Sequence, residues 1–180
     1  MSTFVALLRA VNVSGVKLTM AELRSTLEAL GLTDVQTYVQ SGNVVFDATE
    51  DDPAAHTSVI QSAITAAFGL DVKVLVIGAA DLARIARTNP FLDAGADLRT
   101  LHATFLFEPV TEEAFAALEP PAREGEQFAL GEQLVYLHLP HGYGRSKLSN
   151  AYFERTLRTP ATTRNWRTVT TLVELSSPHA

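Results

Sequence analysis

The chain has 180 residues, 47% of them apolar and 19% charged, with a net charge of −6 and no cysteine. That composition fits a globular protein with a buried core and excludes a disulfide framework, a thiol nucleophile and cysteine-held zinc. The acidic total argues against general affinity for nucleic acid, no run approaches the ~20 apolar residues that span a bilayer, and MSTFVALLRAVNVSG lacks the features of a leader, so a cytoplasmic protein is expected.

Thr3 to Leu8 is a short apolar run, read as a buried strand, and the loop after it carries Arg9, Asn12 and Lys17. Thr19 and Glu22 have the spacing of a capping box, and Leu23, Leu27 and Leu30 follow at helical intervals until Gly31. VQTYVQSGNVVF holds two β-rich runs around Ser41-Gly42 and predicts a hairpin. Asp52-Pro53 opens a second helix with Ile60, Ile64 and Phe68 on its apolar stripe; Gly69 closes it, and Val72 to Ile77 is another strand. This order, β-α-β-β-α-β, is the split βαβ or ferredoxin-like pattern.

A short helix near Asp81 to Arg87 leads into TNPFLDAGADL, where periodicity is lost. Residues 89–98 are therefore expected to connect two subdomains, 1–88 and 99–180. In the second, Leu101 to Phe107 is a strand and Thr111 caps a helix ending before Pro120-Pro121. Phe128 to Leu130 pairs with Leu134 to Leu139 across Gly131-Glu132, and a helix follows HGYGRSK as far as about Leu157. NWRTVTTLVEL is rich in β-branched residues yet sets Trp166, Val169, Leu172 and Val173 at helical intervals. A C-terminal helix, capped by Thr162 or Thr163, is the favoured reading. The fold class expected is α+β, with two ferredoxin-like subdomains that repeat an architecture without repeating a sequence.

HGYGRSKLSN, residues 141–150, sets Arg145 and Lys147 at an expected helix start, where the macrodipole disfavours cations by about 0.3–1 kcal/mol each. Residues 145–167 hold six cations against Glu154 alone, a net +5 that leaves −11 on the remainder. Gly142 and Gly144 allow close backbone approach, Ser146 is read as an N-cap, and free helix N–H groups beside two cations can seat a phosphate or carboxylate. The plainer alternative is a connecting turn with both cations solvated. Arg9, and Arg164 after Thr163, flank two other loops, and the expectation is that these cations line one cleft. Asn12 suits a turn with a local backbone hydrogen bond, and Gln40, Ser41 and Asn43 suit a hairpin end. Asn43 and Asn150 would add hydrogen bonds to a ligand, while Trp166, beside Asn165, is either core or a stacking platform. His56, His102, His138, His141 and His179 show no metal-ligand spacing, no catalytic constellation stands out, and no cofactor is indicated.

RAVNVSG, MAELR, YVQSGNVVF, NPF, GRSKLSN and TTRNWRTV, in this order, resemble the domain-of-unknown-function 1697 family over nearly the whole chain. The resemblance implies a two-part α+β fold and no particular activity. Its matching positions, among them Arg9, Asn12, Gln40, Ser41, Asn43, Arg145, Ser146, Lys147, Asn150, Thr163, Arg164, Asn165 and Trp166, are mostly polar loop residues, as in a site. The family pattern usually has glycine where Ala10 and Ser14 stand.

Three functions compete on these residues. The first is binding of a phosphate-bearing or nucleotide-like small molecule in a cleft lined by Arg9, Arg145, Lys147 and Arg164. The second is nucleic-acid binding through residues 145–167, although the exposed aromatic signature of RNA-reading sheets is missing. The third is a protein interface built on the same segment.

Overall fold

The computed structural model of the protein describes residues 1–13, 15 and 17–177; Ser14 and His179 lie outside them. Two compact units divide the chain, one comprising Met1–Ala83 with the segment from Thr171 on, the other Arg84–Thr170.

The first unit contains β1 (Ser2–Leu8), α1 (Met20–Glu28), β2 (Thr33–Tyr38), β3 (Asn43–Ala48), α2 (Pro53–Phe68) and β4 (Val74–Gly78). Its antiparallel sheet has the order β2-β3-β1-β4. Both helices are capped as their sequences dictate: Thr19 Oγ1 accepts from the Glu22 amide at 3.2 Å, and Asp52 Oδ1 accepts from Ala54 and Ala55 at 2.9 and 3.2 Å. Leu23 and Leu27 of α1 and Ile60 and Ile64 of α2 are fully buried with Phe4 and Phe46, each worth about 1.5–3 kcal/mol relative to exposure. His56 also belongs to this core, with its ring 4.8 Å from that of Phe4 and its Nε2 2.7 Å from the Glu50 carbonyl.

Next in the chain come α3 (Ala79–Arg87) and α4 (Pro90–Asp93). The latter is a single helical turn within the segment expected as a loop, capped by Asn89, whose Oδ1 accepts from the Phe91 amide at 3.0 Å. The second unit then runs β5 (Leu101–Leu106), α5 (Glu112–Ala116), β6 (Gln127–Gly131), β7 (Leu134–His138), α6 (Asn150–Leu157), β8 (Ala161–Asn165) and the start of α7 (Trp166–Leu175). Its sheet order, β6-β7-β5-β8, repeats that of the first unit element for element. Leu106, Val135, Leu137, Leu148 and Phe153 form the core beneath α6. The fold is thus a mixed one of two ferredoxin-like halves with a C-terminal helix.

The ambiguous sixth element resolves into both a strand and a helix. Thr162 and Thr163 do not cap α7; they lie in β8, where Thr163 is paired with Thr104. The cap comes from Asn165, whose Oδ1 accepts from the Thr168 amide at 2.8 Å. Helical periodicity starts only at Trp166, so a five-residue strand fits in front of it.

The repeat extends to individual main-chain bonds. Leu8 N–H donates to the Gly42 carbonyl at 2.8 Å and Arg9 N–H to Lys73 at 2.9 Å; in the second unit Leu106 donates to Gln133 and Phe107 to Pro160, both at 3.0 Å. Sheet edges are also blocked in matching ways. On β4, the outward amides of Val74 and Val76 donate to Gln61 Oε1 and Thr57 Oγ1 of α2, both at 3.2 Å. On β8, the Ala161 amide donates to Glu154 Oε1 of α6 at 2.9 Å. Edge strand β2 is interrupted by a register shift between Thr33 and Gln36, with Asp34 at φ +52°. No helix among the described residues is long and apolar enough to cross a membrane.

Candidate functional site

The 141–150 segment follows β7 and begins with a tight turn at Gly142, whose φ of +84° favours glycine. Tyr143–Arg145 form one 3₁₀ turn, and α6 starts only at Asn150. Ser146 is therefore not the helix cap: its Oγ accepts from the Leu148 amide at 3.0 Å, which shapes the turn and lets Leu148 enter the core. Ser149 is the cap, accepting from the Tyr152 amide at 3.3 Å, and the Asn150 amide donates to Tyr143 Oη at 3.1 Å. Two of the helix-start amides expected to be free are thus occupied by the protein's own hydroxyls.

A polar chain underlies this turn. Thr163 Oγ1 donates to Asn150 Oδ1 at 2.6 Å and lies 2.8 Å from Thr104 Oγ1. Strand alternation puts His102 on the Thr104 face of β5, and its ring stacks on Tyr143 with centroids 5.4 Å apart. Burial pulls the His102 pKa below its ordinary 6.5, and its Nδ1 is buried with no hydrogen-bond partner among the described residues. Asn150 and Thr163, both expected as ligand contacts, instead hold α6 against β8. The turn that carries Arg145 and Lys147 is consequently built on a rigid polar support.

Arg145 and Lys147 are exposed, and neither makes an ion pair among the described residues. Arg155 and Arg158 need no ligand, because they stand at the C-terminal end of α6 where the macrodipole favours cations. Arg167 is different: it is exposed in the first turn of α7, and that turn, like the first turn of α6, contains no acid. Asn165, the last residue of β8, pairs with His102 at the N-terminal end of β5, so α6 and α7 both start at this end of the sheet.

Arg164 and Trp166 are corrections to the expected site. Arg164 lies in β8 opposite Ala103, only 7% exposed, and its Nη1 donates to Thr162 Oγ1 at 2.7 Å and to the Thr163 carbonyl at 3.1 Å. Burial lowers its pKa to about 10, which leaves it charged at neutral pH. Trp166 is 2% exposed, with its ring 6.4 Å from that of Tyr136, so it packs in the interior and offers no face to a base. Asn165 serves as the α7 cap described above.

In the first unit the expected polar residues organise the loops at the C-terminal end of β1. Asn12, at φ +56°, donates through Nδ2 to the carbonyls of Leu18 (2.8 Å) and Gln40 (2.7 Å), and its Oδ1 accepts from the Leu18 amide at 2.9 Å. Every polar atom of that side chain is used. Asn43 is fully buried and donates to the Tyr38 carbonyl at 2.9 Å and to Ser41 Oγ at 3.0 Å, so it closes the hairpin and does not face a ligand. Gly42 is confined by its neighbours: a Cβ there would stand 2.6 Å from Val11 Cγ2 and 2.7 Å from Leu8 Cβ. Ala10, where the family pattern usually has glycine, takes φ +58°. Gln40 and Ser41 are exposed and Arg9 is half-buried, with its amide bonded to Lys73.

Sequence reasoning missed His102 and Thr104 as neighbours of this region, and it counted Arg167 in the basic segment without placing it at a helix start. With β8 unseen, nothing placed Thr104 beside Thr163 or the start of α7 at the α6 end of the sheet. No group of three or more His, Asp or Glu residues placed to hold a metal occurs among the described residues.

These features define an α+β protein of two ferredoxin-like units whose polar motif residues chiefly build loops. The family model for the protein of unknown function DUF1697 matches residues 1–136, and the chain belongs to that family. Its fold is similar to that in "the structure of conserved bacterial protein SP0830 from Streptococcus pneumoniae", with 21% identity, a TM-score of 0.73, and coverage of 98% of this chain and 99% of that one. No curated protein matches the chain. Residues 141–167 lie beyond the span that the family model matches.

Proposed function

We propose that the protein binds a phosphate-bearing or nucleotide-like small anion at the end of the second unit's sheet where α6 and α7 begin. One observation carries this reading: Arg145, Lys147 and Arg167 stand exposed at or just before two helix starts that contain no acid in their first turns. Arg167, in the first turn of α7, is disfavoured there by about 0.3–1 kcal/mol, a cost that a bound anion reverses. The turn at 142–147 leaves backbone accessible, since nothing lies within 4 Å of a Cβ built at Gly142 or Gly144. Arg164 has no part in the contact, being buried in β8, and Arg9 belongs to the first unit. The cysteine-free composition supports a reducing, cytoplasmic setting for such a ligand.

The test is a thermal-shift titration with pyrophosphate and a panel of nucleotides, comparing the natural protein with Arg145→Ala/Lys147→Ala. Ligand at 100 times Kd stabilises by about 2.7 kcal/mol, so binding raises Tm measurably in the natural protein and much less in the variant. Equal shifts in both proteins would place the anion elsewhere, and no shift with any probe would reject the reading.

A further inference from the structure

The second unit's sheet has one edge with none of the blocking devices found on the others. Gly131 and Leu134 close the two-residue β6–β7 turn as directly opposed residues. Antiparallel alternation then turns the N–H and C=O groups of Phe128 and Leu130 away from β7. Neither residue has a hydrogen-bond partner on that side among the described residues, whereas β4 and β8 are capped by helix side chains and β2 is broken by a bulge. The strand itself, QFALG, carries no charge.

The surroundings of this edge are strongly acidic. Residues 108–132 contain seven glutamates and the single cation Arg123. Glu124, which is exposed, precedes β6; Glu126 is buried, its carboxylate accepting from the Arg123 amide at 2.9 Å, and Glu132 after the strand is exposed and ion-paired with Arg84 at 2.8 Å. Glu112 and Glu113 begin α5, which packs on β6 through Phe115 and Phe128 with ring centroids 5.6 Å apart. A second copy of the chain is a poor occupant. It would bring the same acidic flank, with exposed Glu112, Glu113 and Glu124, against this edge, and like charges brought together disfavour the pairing.

We propose that β6 is a docking edge for an extended, lysine- or arginine-bearing segment of a partner protein, which adds to the sheet as a fifth strand. Main-chain bonds to Phe128 and Leu130 supply pairing, and the glutamates select a basic partner. This surface is separate from the anion site proposed above and does not depend on it.

The test uses the full chain and a synthetic peptide, Lys-Val-Lys-Val-Lys-Val-Lys, with Glu-Val-Glu-Val-Glu-Val-Glu as the charge-reversed control. Fluorescence anisotropy reads affinity at low and high salt, and amide hydrogen exchange by NMR reads the edge. The lysine peptide should bind and slow exchange at Phe128 and Leu130 by roughly tenfold or more, while the glutamate peptide does neither. Leu130→Pro, which deletes an outward donor and leaves the β6–β7 bonds intact, should weaken binding by roughly tenfold or more. Because that variant could also disturb the strand, Glu112→Lys/Glu113→Lys serves beside it and should weaken binding without touching the edge. Binding that leaves the two amides unprotected, or that is the same for both peptides, would overturn the proposal. So would a dimer in sedimentation that protects these amides without peptide, which assigns the edge to a second copy.

Discussion

Replacing Gly42 by alanine isolates how tightly the β2–β3 hairpin end is built against β1. The left-handed φ of +78° costs an alanine about 1–2 kcal/mol. The new Cβ would also meet Val11 Cγ2 at 2.6 Å and Leu8 Cβ at 2.7 Å, and the second of these is fixed to the backbone of a central strand. Overpacking of this kind typically costs a further 1–3 kcal/mol, for a total of about 2–5 kcal/mol. The control is Gly31→Ala, at φ +86° with nothing within 4 Å of its Cβ, which incurs only the conformational cost of about 1–2 kcal/mol. Urea unfolding followed by circular dichroism compares the two through their midpoints at constant slope. Equal losses of stability would show that the hairpin end yields freely and would refute the steric reasoning.

Asn12→Ala should destabilise by about 1–3 kcal/mol, because it removes two donated bonds and one accepted bond and leaves carbonyls at Leu18 and Gln40 to find water; chemical denaturation measures this. Tyr143→Phe keeps the ring on His102 but deletes the acceptor of the Asn150 amide, and a loss of about 0.5–1.5 kcal/mol is expected in the same assay. His102 sets a pH dependence. Its folded pKa lies below 6.5, so below that pH the unfolded chain binds the proton first, and stability falls as pH drops from 6.5 toward the folded value. Denaturation midpoints across this range should show that slope in the natural protein and lose the His102 component in His102→Phe. Arg164→Lys should lower Tm while leaving any pyrophosphate-induced shift unchanged, because the guanidinium is bonded inside the fold to Thr162 and Thr163; a lost shift with unaltered stability would return Arg164 to the ligand.

The elements that announced themselves in sequence were those with two agreeing signals. Helices α1 and α2 had both a cap and an apolar stripe, and the β2–β3 hairpin had β-rich runs around Ser41-Gly42. Strand β8 had neither: ATTRN is short, mostly polar, and merges into a helix with β-branched residues of its own. Missing it had a consequence at the site, since it made Arg164 look like a loop cation and left Trp166 undecided between core and stacking platform. Ser146 misled for a related reason. Serine accepts equally well from an amide two residues on in a turn or at a helix start, and only the position of Ser149 three residues later decides between them. The charge pattern, by contrast, needed no side-chain geometry to be seen. Burial and helix ends then sorted its members, leaving Arg145, Lys147 and Arg167.

The paired locks at Leu8–Gly42 with Arg9–Lys73 and at Leu106–Gln133 with Phe107–Pro160 are made wholly of amides and carbonyls. Such bonds are blind to what the side chains are: an arginine occupies the position in one half that a phenylalanine occupies in the other. A tandem pair held this way can exchange nearly all of its residues and keep one topology. The halves of this chain are therefore free to specialise, one carrying a bare acidic strand edge and the other a set of turns knotted by asparagine.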